Sequence, residues 1–140
     1  MITTSDISTI LYKDCKAFGI TNIYKSPNVP IGDCNDVTKP QVVNERIVIL
    51  TKKETPEKIW KKSFVEVNLV VPNMKDGKAN LSRTTELDRM AHTILGDVFG
   101  YFDNTKYVYS LYSTETIEEP DIKCNYVNVR ILFQVLNVKL

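Results

Sequence analysis

Between Ile122 and Val138 the side chains alternate in character, with Val127, Val129, Ile131, Phe133 and Val135 on one side and Asn128, Arg130 and Gln134 on the other. Successive side chains of an extended chain point to opposite faces, so the run predicts a long strand with one buried and one solvent-facing side. Such a strand cannot stand alone: its apolar face needs a covering layer and its edges need partner strands. The chain supplies both. Within Ser63 to Val71, one face collects Val65, Val67, Leu69 and Val71 and the other Phe64, Glu66, Asn68 and Val70. Ile47 to Leu50 is a continuous apolar run, and within Lys106 to Thr114 Tyr107, Tyr109 and Leu111 alternate with Val108, Ser110 and Tyr112. Glu118 to Asp121 forms a polar tip between the last two runs, which makes them an antiparallel hairpin. Pro72 stops the Ser63 strand, and Asn73 to Gly77 has turn composition.

Two segments carry the helical period. Ile7, Ile10, Leu11, Cys15 and Phe18 place one apolar stripe on residues 6–18, with Ser5 as the N-cap, Asp6 at the positive end of the helix dipole and Gly19 as the stop. A second helix starts between Asn80 and Thr85 and runs to near Gly100, with Leu87, Met90, Ala91, Ile94, Leu95, Val98 and Phe99 as its stripe. Ile20 to Tyr24 has the length of a short strand, and Ser26 to Gln41, with three prolines, reads as a long irregular excursion. The expected fold is a single α+β domain over residues 1–140. In it, two helices pack on one face of a mainly antiparallel sheet, in the order α-β-β-α-β-β. Phe18, Val67, Leu69, Ile94, Val129, Ile131 and Phe133 are its expected core.

Charge and cysteine usage narrow the function. Lys and Arg number 18 against 17 Asp and Glu, which denies the protein the electropositive field that reads phosphate backbones, so no specific nucleic-acid partner is expected. No stretch approaches the ~20 apolar residues of a membrane helix and Met1 to Asp6 lacks the pattern of a secretory signal, so a cytoplasmic, membrane-free location is expected. Cys15, Cys34 and Cys124 are odd in number with no paired spacing and read as reduced thiols.

Catalytic readings fare poorly against plain ones. His92, the only histidine, would be a general base only with a partner at a motif spacing, and none is present; a boundary side chain on a helix is the simpler reading. Phosphate-binding glycine loops and the nucleophile elbow are absent. Asp33, Cys34 and Asp36 share a loop without matching a known ligand spacing, and Asp is common in turns. The expectation is a protein with no enzymatic activity, no metal and no cofactor.

The segment Ser63 to Leu95, SFVEVNLVVPNMKDGKANLSRTTELDRMAHTIL, followed by the closing hairpin strand YVNVRILFQVLNV and preceded by an N-terminal helix, resembles the tail terminator, or tail completion, proteins of long-tailed bacteriophages. The resemblance lies in element order over most of the chain and involves no signature motif. It implies a small α+β subunit of a homo-oligomeric ring, commonly of six copies, that ends the tail tube and contacts the tube protein and the head–tail connector. It also implies a place in the virion tail, and in the host cytoplasm before assembly. The family has no catalytic residues. Two charged segments would then be contact elements. Lys52, Lys53, Lys58, Trp60, Lys61 and Lys62 make a basic connection holding the only tryptophan, and Glu115, Glu118, Glu119 and Asp121 make an acidic one. In a cyclic array the two meet between neighbouring copies. The alternative is a non-catalytic adaptor that binds a peptide or nucleic acid through its sheet.

Overall fold

The computed structural model describes residues 2–25, 41–51 and 60–136. The chain runs α1 (Thr4–Cys15), β1 (Asn22–Lys25), β2 (Arg46–Thr51), β3 (Trp60–Pro72), α2 (Leu81–Ile94), β4 (Asp97–Phe102), β5 (Thr105–Glu119) and β6 (Cys124–Leu136). The α+β class with two helices on a largely antiparallel sheet stands, but the order α-β-β-α-β-β omits β1 and β4. The sheet has six strands in the order β1-β2-β3-β6-β5-β4 and is curled, with β1 parallel to β2 and every other pair antiparallel.

Helix α1 starts earlier than Ser5. Its N-cap is Thr3, whose hydroxyl accepts from the Asp6 backbone N–H at 3.2 Å while the Asp6 carboxylate accepts from the Thr3 N–H at 2.9 Å. A hydroxyl and a carboxylate three residues apart satisfy two backbone donors at once, which a cap at Ser5 would not. Ile2 and Ile7, on either side of this box, are both buried. After α1 a 3₁₀ turn carries Phe18 into the core, and Gly19 leaves it with φ +75°, a conformation that favours glycine.

Helix α2 is capped by Asn80, which accepts from the Arg83 N–H at 3.2 Å. It ends at Ile94, short of the expected Gly100. A Cβ at Gly96 would collide with the carbonyl oxygen of His92, so the chain leaves the helix through a site that only glycine fits. Val98 and Phe99 therefore belong to β4, where Val98 faces the core and Phe99 faces solvent. Asp103 and Asn104, at φ 50° and 60°, close the tight turn into β5. Paired left-handed residues of this kind twist a hairpin the right way.

One core lies between the helices and the inner sheet face. It unites Leu11 and Phe18 with Ile47, Val67, Leu69, Leu87, Val129, Ile131 and Phe133. Of the expected core, only Ile94 is half-buried; the rest are at most 3% exposed. Tyr109 joins the end of α1 to this core, its hydroxyl donating to Asp14 Oδ2 at 2.6 Å. A smaller cluster on the opposite face holds Val42 against Val48, Val70 and Cys124, and the Val42 N–H donates to the Ile122 carbonyl at 2.8 Å. Residues 41–43 thus roof one end of the outer face and leave the other end open.

Candidate functional site

The outer sheet face is divided by what its strands carry. At the end away from Val42, β4 turns Phe99 and Tyr101 outward, each 69% exposed, and Tyr112 on β5 is 61% exposed. Tyr112 owes its position to a bulge: Leu111 pairs with Ile131 and Ser113 with Arg130, so Tyr112 is the extra residue. A bulge inserts one residue and reverses which later positions face inward. The Phe64 ring meets Tyr112 edge-on at 5.2 Å, and the Arg130 guanidinium lies 4.1 Å from the Phe64 centroid and 5.6 Å from that of Tyr112. Lys106 sits 5.8 Å from the Phe99 centroid. Between these rings runs a shallow groove of about 270 Å3 lined by Phe99, Val108, Ser110, Leu132 and Gln134. Exposed aromatic and apolar groups gathered on one face, rather than scattered, mark an interaction surface.

Arg130 is the most telling residue of this half. Its Nε is shut off from solvent and has no hydrogen-bond partner among the described residues, although Glu66 stands directly across the ladder. Stacking on an aromatic face satisfies the guanidinium plane, not its donors.

The other half of the same face is acidic. Glu66, Glu115 and Glu119 lie close enough to Tyr126 to raise its hydroxyl pKa, after burial, which is the larger cause. Glu115 is not in a connection as expected, because β5 continues to Glu119 once the bulge is passed. Glu118 and Glu119 are its last residues and Asp121 lies in the 3₁₀ turn that follows. On the basic side, Lys52, Lys53 and Lys58 lie outside the described residues, as do the side chains of Trp60 and Lys61. Lys62 is exposed on β3, and the strand begins at Trp60 rather than Ser63 because its ladder with β6 reaches Leu136.

Lys62, the one basic residue of the set with a described side chain, does not meet the acidic end within one copy. Lys62 pairs with Gln134 and Glu119 with Cys124, at opposite ends of β6. At ~3.3 Å per residue that separation is about 33 Å. The residues missed in the sequence are Phe64, Phe99, Tyr101, Tyr112 and Arg130. Their signal was present for Phe64 and Arg130, which stand on the polar side of their alternating runs, whereas Phe99 was concealed by the overlong helix and Tyr101 lay just past its expected end.

Elsewhere the chemistry is sparse. His92 is 59% exposed on α2, its Nε2 3.5 Å from Asp88 Oδ1. Burial, aided by Asp14, pushes the Cys15 thiol up to about 12, which keeps it protonated and unreactive. Asp33, Cys34 and Asp36 lie outside the described residues, and among the described residues no cluster of three His, Cys, Asp or Glu side chains is arranged to hold a metal ion. No described helix is long and apolar enough to cross a membrane. Comparison with protein-family models and with curated proteins finds no match to this chain.

Proposed function

We propose that this chain is a structural assembly protein of a phage tail, a tail terminator that works as a homo-oligomeric ring, commonly a hexamer, without catalytic activity or cofactor. One observation carries the assembly part of the reading: half of the outer sheet face is an open aromatic surface with an arginine whose Nε has no acceptor among the described residues, while the main core lies on the other face. The phage part rests on the resemblance in element order. On this reading the tail tube protein and the head–tail connector are the ring's neighbours, and the protein resides in the virion tail after assembling in the host cytoplasm. Sedimentation velocity tests it first. A ring has several times the 16.0 kDa mass of one chain and an annular outline in negative-stain micrographs, whereas a protein that stays monomeric at every concentration removes the ring.

A second reading has its own support. Aromatic side chains beside Arg130 and Lys106 on a sheet are the ingredients of a single-strand nucleic-acid platform or a peptide seat, so an adaptor remains the rival function. Against it, cations already lie over the Phe64 and Phe99 rings where bases would stack, and the net charge is only +1. Titration of a fluorescent oligonucleotide and of a peptide pool separates adaptor from ring.

A further inference from the structure

We infer that the open aromatic half of the outer face is the seat for the acidic β5–β6 tip of a second copy of this chain, an inference that rests on the ring reading and names its contact. The seat offers Phe64, Phe99 and Tyr112 with two cations, Lys106 and Arg130, and Arg130 forms no ion pair with a carboxylate among the described residues. The tip offers what the seat lacks. Glu118 and Asp121 are exposed and Glu119 is half-exposed; the two glutamates end β5 and Asp121 lies in the connection to β6.

The tip is held in shape before any contact is made. Pro120 to Ile122 form a 3₁₀ turn and Lys123 takes a left-handed φ of 54°. The Lys123 carbonyl accepts from the Asn73 N–H at 3.0 Å, and the Ile122 carbonyl accepts from the Val42 N–H at 2.8 Å. A loop pinned by two neighbouring segments loses little freedom on docking, which is where much of the cost of association lies. Carboxylates delivered to a stacked arginine form the strong, charge-assisted kind of hydrogen bond.

Placement then dictates the symmetry. Tip and seat lie near opposite ends of one sheet, so a copy cannot fill its own seat, and a tip in a neighbour's seat leaves a free tip and a free seat at the two ends of the pair. Contacts between different patches repeat head to tail until the rotation closes a ring. The earlier expectation paired the acidic segment with Lys52 to Lys62; here the acid's partner is the aromatic seat around Arg130, with Lys62 at its margin.

The test uses the full chain and a mixing experiment. A seat variant, Phe99→Ser with Lys106→Ser, changes two exposed side chains and spares the core; a tip variant, Glu118→Lys with Asp121→Lys, does the same at the other end. Each alone should weaken assembly at least about tenfold in dissociation constant, as should Arg130→Gln. Mixed in equal amounts, the seat variant still has a working tip and the tip variant a working seat, so they should form a species of two chains and nothing larger. A parent that assembles while both variants reach its mass at the same concentrations places the contact elsewhere and leaves the ring reading intact. A monomeric parent removes both. A parent that binds oligothymidine, with a seat variant that does not bind it yet still assembles, assigns the face to nucleic acid and overturns the inference.

Discussion

Replacing Phe133 with alanine probes the register of the whole sheet. Its ring is fully buried, lies across from Ser63 and Tyr109, and packs near-parallel against both Tyr107 at 5.3 Å and Tyr109 at 5.6 Å, with interplanar angles of 18° and 16°. Removing a buried phenyl ring costs about 3 to 5 kcal/mol in lost transfer energy and residual cavity. Each ring contact adds about 0.5 to 1.5 kcal/mol beyond area. Two such contacts put the expected loss near the upper end, about 4 to 5 kcal/mol. Phe133→Leu keeps most of the volume and loses the rings, so about 2 kcal/mol is expected. With a urea slope of about 1.5 kcal/mol per molar, the alanine variant's midpoint should fall by about 3 M and the leucine variant's by a little over 1 M. Far-UV circular dichroism at one fixed protein concentration is the assay, because assembly itself adds concentration-dependent stability. A one-residue slip of β6 would turn Phe133 outward. If the alanine midpoint moves by less than about 0.5 M, the register described for β6 is wrong.

Three further outcomes are expected. Tyr109→Phe removes the hydroxyl that donates to Asp14 and should cost about 1 to 2 kcal/mol, whereas the same change in an Asp14→Asn background should cost less; a double-mutant cycle with no coupling would deny the bond a role. Gly96→Ala should lower the melting temperature through an overpacking cost of about 1 to 3 kcal/mol, since the new methyl meets the His92 carbonyl, and a variant that melts with the parent would place the end of α2 elsewhere. Cys15, raised from 9.0 to about 12 by burial, keeps its proton in the folded state while the unfolded chain releases it above pH 9. The stability it contributes is therefore full below pH 9 and is lost as pH rises toward 12, by up to about 1.4 kcal/mol per pH unit. Between pH 9 and 10, where tyrosines of ordinary value 10.0 also begin to ionise in the unfolded chain, urea midpoints should fall more steeply in the parent than in Cys15→Ala.

Periodicity alone was enough for much of this fold, because burial on one face imposes a pattern that the chain must write down. The alternation through Val127, Val129, Ile131 and Phe133, its counterpart from Val65 to Val71 and the stripe of α1 all read correctly from the residues. The failures share one cause: a local feature that depends on a neighbour distant in sequence. Val98 and Phe99 fit a helical stripe as well as a strand, and only the close approach of Gly96 to His92 together with the ladder to β5 makes them a strand. The second half of β5 reads as polar connection because the bulge at Tyr112 reverses its parity, so the inward positions become Thr114 and Thr116, which carry no apolar signal. The outer face shows the same dependence. Phe64 and Arg130 stand out in their own strands as an aromatic and a cation on a polar side, but that they stack, that Tyr112 closes on them and that Arg130 Nε has no acceptor among the described residues are facts of cross-strand register. A sequence specifies which residues share a face of one strand; which strand lies beside it, and therefore what surface the face becomes, is decided only when the sheet forms.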